Sequence, residues 1–77
     1  MHGTWDRIEG NWKQFWGKVK EEWGDLTDDD MTYINGSRDR LEGKIQERYG
    51  MAKDDAHNRV STWLDRVALG DDEKARF

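Results

Sequence analysis

The stretch GNWKQFWGKVKEEWG, Gly10 to Gly24, decides the fold. Within it Trp12, Phe15, Trp16, Val19 and Trp23 follow the i, i+3, i+4, i+7, i+11 spacing of one face of an α-helix. Trp5 and Ile8 are in phase with them, so the spacing predicts a first helix that begins near Thr4. Yet a glycine returns every seventh residue, at Gly10, Gly17 and Gly24. Inside a helix each costs about 1 kcal/mol relative to alanine.

Sliding the chain along itself by 26 residues explains the pattern. GNWKQFWGKVKEEWGDLTDDDMTYI then falls on GSRDRLEGKIQERYGMAKDDAHNRV, and the three glycines land on Gly36, Gly43 and Gly50. Lys18 lands on Lys44, Val19 on Ile45, Glu21 on Glu47, Trp23 on Tyr49, and Asp28 and Asp29 on Asp54 and Asp55. The chain therefore reads as one supersecondary unit written twice, over residues 10–34 and 36–60. Gly24 and Gly50 follow the last periodic aromatic, where a helix ends in a left-handed residue. Gly10 and Gly36 precede Asn11 and Ser37, both good N-caps, with Gln14 placed to complete a capping box. Only Gly17 and Gly43 are interior, and close packing of another backbone is the expectation for them.

After Gly24, Leu26–Thr27–Asp28–Asp29–Asp30–Met31 is a helix start: Thr27 caps, the aspartates face the positive helix end, and Leu26 staples to Met31. The aligned start after Gly50 has Lys53 in place of a capping side chain but keeps Asp54 and Asp55. Ala56, Val60, Trp63, Leu64 and Val67 then give a longer apolar face. From Gly70 the periodicity stops, so residues 1–69 are expected to form the domain and residues 70–77 a flexible tail. The expected fold is all-α, a small open bundle of about four helices built as two duplicated α-hairpins.

These residues, and in particular EGNWKQFWGKVKEEWGDLTDDDM with the later LEGKIQERYG, resemble the CsbD-like bacterial stress-response proteins. The resemblance covers about Ile8 to Trp63. It implies a small hydrophilic cytoplasmic helical protein whose abundance rises under general stress, with two packed α-hairpins and no established molecular activity. Trp16 stands where relatives carry a polar or basic residue, and the stretch after Trp63 departs from their pattern.

Composition narrows the function. Seventy-seven residues with 39% charged, 34% hydrophobic and a mean hydropathy of −1.21 allow one small domain, and five Trp keep it from the disordered class. There is no cysteine for a disulfide or thiolate site. With neither an apolar run of membrane length nor a basic-then-apolar leader, the expectation is a cytoplasmic protein. The acidic clusters Asp28–Asp30, Asp54–Asp55 and Asp71–Glu73 lack the alternating ligands and distal glutamate of a calcium loop. His2 and His57 lack partners at zinc spacing, and Ser37 and Ser61 lack a His–acid pair. No enzyme, metal or cofactor is expected.

Three non-enzymatic readings remain. In the first the chain is a protein interaction module that docks through Trp5 and Trp16, rings at the end or edge of the apolar stripe and expected to be exposed. A second has it bind nucleic acid through Lys18, Lys44 and nearby arginines, as hairpin glycines do elsewhere, although a net charge of −4 and the aspartates after each turn oppose this. The third is a hydrophilic protectant without a specific site. A membrane-surface helix is disfavoured because the charges of residues 1–24 cancel.

Overall fold

In the computed structural model the backbone is described for residues 3–76 and the side chains for residues 5–67. Five helices follow one another: α1 (Gly3–Gly10), α2 (Trp12–Glu22), α3 (Asp28–Ile34), α4 (Arg38–Tyr49) and α5 (Lys53–Arg76). There is no strand among the described residues, and the fold is all-α. The 26-residue offset carries α2 onto residues 38–48, inside α4, and α3 onto residues 54–60, inside α5.

The apolar stripe is buried where its spacing placed it. Ile8, Trp12, Trp16, Val19, Trp23, Leu26, Ile34, Leu41, Ile45, Ala56, Val60 and Trp63 form one cluster, with Trp5, Phe15, Met31, Met51, Leu64 and Val67 packed against it. Indoles run through its first half, with centroids 6.3 Å apart for Trp5–Trp12 and 5.7 Å for Trp12–Trp16. Trp23 meets Trp63 at 5.4 Å and so ties the end of α2 to α5. α4 packs along α5, α3 against α4, and α1 touches both α2 and α5. At 1.5 Å per residue the 24-residue α5 is about 36 Å long, matching the 37 Å long dimension of the molecule.

Several local expectations give way to other interactions. The single first helix is two, broken at Asn11 (φ −128°, ψ 42°). Asn11 makes no side-chain cap and no capping box with Gln14; its Nδ2 donates back to the Arg7 carbonyl at 3.0 Å, so it terminates α1. Gly24 is not left-handed, because the positive φ values among the described residues fall at Asn35, Gly36 and Gly50. The turn after α2 is closed instead by Leu26 N–H on the Trp23 carbonyl at 3.2 Å and by the Lys20 ammonium on the Leu26 carbonyl at 2.7 Å. Gly17 and Gly43 do not receive another backbone: a Cβ built on either meets nothing within 4 Å. α5 runs to Arg76, past Gly70 where the apolar period ends.

Other start and stop signals act as written. Thr27 and Asp30 form a reciprocal capping box at α3, and Ser37 accepts from Arg40 N–H at α4. Gly50, at φ 64°, ends α4 in the left-handed region. Gly36, at φ 85°, lies so close to α1 that a Cβ would sit 3.2 Å from Glu9 Cγ.

Candidate functional site

The four residues singled out for partner contact are not brought together. Trp16 is buried, 9% exposed, its ring tilted against that of Trp12. Its phase on the stripe is a core phase; the expectation that it is exposed is corrected. Trp5 is half-buried, and its Nε1 donates to the Gly36 carbonyl at 3.0 Å, which docks α1 on the α3–α4 turn. Lys18 is half-buried on α2, with no acidic group within ion-pair distance among the described residues. Lys44 alone belongs to a polar constellation.

That constellation is built from α3 and α4. Tyr33 points out of α3, 52% exposed, opposite the inward Met31 and Ile34. The Arg40 guanidinium carbon lies 5.0 Å from the centre of its ring and the Lys44 ammonium 4.9 Å, both within cation–π range. Arg40 also donates through Nη1 to the Tyr33 carbonyl at 3.0 Å, which caps the end of α3. Asp39, Gly43 and Glu47 complete a shallow depression of about 390 Å³ around the ring. Tyr33 was legible in sequence as an aromatic out of phase with its helix's apolar face, but it sits outside the tryptophan stripe that drew the reading.

Asp30 holds α3 and α4 in this arrangement. Only 2% exposed, it accepts from Arg48 Nε at 3.0 Å and Nη2 at 3.1 Å, the two-pronged pairing that suits a carboxylate. Lys44 Nζ approaches it at 3.5 Å, and Thr27 N–H donates to it at 3.0 Å. The Arg48 hydrogen bonds hold its carboxyl down at about 2 against the opposing push of burial, with Thr27 N–H and the Lys44 charge adding to the pull. The Lys44 ammonium is in turn pushed above its ordinary range, first by its hydrogen bond to Glu47 and then by Asp30. Two carboxylates thus keep Lys44 charged beside Tyr33.

A second ionic cluster joins α4 to α5. Glu42, 6% exposed, accepts from Arg38 Nε at 2.7 Å and lies 3.1 Å from His57 Nδ1. Arg38 Nη2 donates to Ser61 Oγ at 2.8 Å and to the His57 carbonyl at 3.4 Å. At the 26-residue offset, Arg38 and Glu42 correspond to Trp12 and Trp16. Trp12 Nε1 donates to the Met31 carbonyl at 3.0 Å, the counterpart of the Arg38–His57 contact. Both clusters are structural: every buried side-chain N and O atom among the described residues has a hydrogen-bond partner.

Among the described residues no group of three or more His, Cys, Asp and Glu side chains converges as metal ligands do. No helix there is long and apolar enough to cross a membrane. No curated protein matches the chain. Residues 6–58, from within α1 to the first turns of α5, match the model of the CsbD-like family: the chain belongs to the CsbD-like family.

Proposed function

We propose that this protein is a non-enzymatic, cytoplasmic component of the bacterial general stress response that acts as a protein interaction module. Its contact surface in this reading is the α3–α4 face around Tyr33. The supporting observation is the exposed Tyr33 ring between the Arg40 and Lys44 cations. Tyrosine and arginine supply large, stiff, amphipathic contact area and are enriched where proteins meet. Family membership supports the stress context. A nucleic-acid role is the weaker reading, because Asp39 and Glu47 balance Arg40 and Lys44 within the depression and leave no net positive groove.

The test is in-cell crosslinking with mass spectrometry under stress, comparing the natural chain with Tyr33→Ser and Arg40→Ala. Both side chains are exposed, so the fold survives either change. Loss of the same crosslinked protein in both variants supports the reading. An unchanged set of crosslinks in both variants refutes it.

A further inference from the structure

We infer that the exposed face of α4 is self-complementary and docks a second copy of this chain in antiparallel register, Arg40 of each copy pairing with Glu47 of the other across Gly43. The inference rests on the reading of the α3–α4 face as a contact surface and names one partner for it.

The geometry follows from α4 alone. Leu41, Glu42 and Ile45 are buried, while Asp39, Arg40, Gly43 and Glu47 are exposed. At about 100° per residue, Gly43 lies at the middle of the exposed arc. Arg40 and Glu47 fall within about 20° of each other along one edge, and Asp39 and Gln46 lie along the other edge. Gly43 sits in open space, with nothing within 4 Å of a built Cβ. Its helix penalty is therefore not offset by any contact inside the chain, and it leaves room for a second helix backbone at the near end of the usual 8–10 Å separation.

A two-fold axis perpendicular to two antiparallel helices keeps each edge on the same side. With the axis between Gly43 and Lys44, Arg40 precedes it by as much as Glu47 follows it. Arg40 of one copy then meets Glu47 of the other, and symmetry repeats the pair. On the opposite edge Asp39 faces the Gln46 amide. In a parallel pair the Arg40–Glu47 edge of one copy would face the Asp39–Gln46 edge of the other, setting Arg40 against Asp39 and Glu47 against an amide, so a charge exchange between Arg40 and Glu47 distinguishes the two registers. Arg40 has donors to spare, since Nη1 alone is committed to the Tyr33 carbonyl. Glu47 carries a side chain 64% exposed and can accept from Arg40 of the second copy while keeping Lys44. The two Lys44 ammonium groups near the axis are each held back by their own Asp30 and Glu47. A helix about 18 Å long gives a small interface, so the dimer is weak and reversible.

Sedimentation equilibrium of the full chain over a wide concentration range tests this. The natural chain should pass from monomer to dimer mass as concentration rises, and added salt should reverse it. Arg40→Glu should weaken association about tenfold or more, and the double variant Arg40→Glu with Glu47→Arg should restore it. Gly43→Leu, which adds bulk where the fold has room, should leave a folded monomer. A natural chain that stays monomeric to millimolar concentration overturns the inference, as does a dimer indifferent to Arg40→Glu and Gly43→Leu. If monomers persist while Tyr33-dependent crosslinks to another protein remain, this inference alone fails. If the dimer forms without any Tyr33-dependent crosslink, the proposed function alone fails.

Discussion

Replacing Gly17 by alanine adds one methyl group at the midpoint of α2, into space where no atom lies within 4 Å. No contact is lost and none is strained, so only backbone entropy and helix propensity change. Those favour alanine by about 1 kcal/mol. For a domain of this length the same energy raises the melting temperature by about 4–8 °C. Urea unfolding followed by indole fluorescence reads the change directly, since five Trp report on the core. The midpoint should rise with an unchanged slope. Gly43→Ala, measured at concentrations dilute enough to keep the chain monomeric, should behave alike. Gly36→Ala is the opposing control, because φ is 85° there and the new Cβ would sit 3.2 Å from Glu9 Cγ and 3.4 Å from the Glu9 carbonyl oxygen. It should destabilise by about 1–2 kcal/mol or more. A Gly17→Ala protein less stable than the natural chain, or a Gly36→Ala protein more stable, would refute this account of the glycines.

Three further outcomes follow from the polar clusters. Asp30 has a carboxyl held near 2 in the fold against 3.8 when unperturbed, so its stabilising share is complete above about pH 4 and is lost as pH falls through about 2; the loss amounts to about 2 kcal/mol, and acid unfolding of Asp30→Asn should lack that portion of the slope. Arg38→Ala strips the buried Glu42 carboxylate of its closest donor and should cost about 1.5–3 kcal/mol by urea titration, with Glu42→Gln costing less because no unpaired charge remains. Trp12→Phe keeps a ring in the core but abandons the Met31 carbonyl at 3.0 Å, and a loss of about 1–3 kcal/mol with faster hydrogen exchange of the α3 amides is expected.

The core and most helix bounds were legible because they rest on local rules. A 3.6-residue period places Trp12, Val19 and Trp23 on one face, and Thr27 ahead of three aspartates announces a helix start. Each miss traces to a contact beyond the local window. Asp30 reads as a helix-start charge, and nothing nearby in sequence points to Arg48, eighteen residues away in the chain. Gly24 reads as a left-handed stop, but the Lys20 ammonium reaches round to the Leu26 carbonyl and closes the turn without one. Of the candidate site, Lys44 was singled out and Tyr33 was not, because amphipathic reading rewards aromatics that face inward.

Matched positions in the two halves carry opposite chemistry: indoles at Trp12 and Trp16, a guanidinium and a carboxylate at Arg38 and Glu42. Salt screens the second pair only through its open members, since Arg38 and His57 reach solvent while Glu42 stays buried. Chilling weakens the apolar pair instead. Salt therefore acts on the ionic pair and cold on the aromatic pair, so two matched positions of one repeat weaken under different conditions.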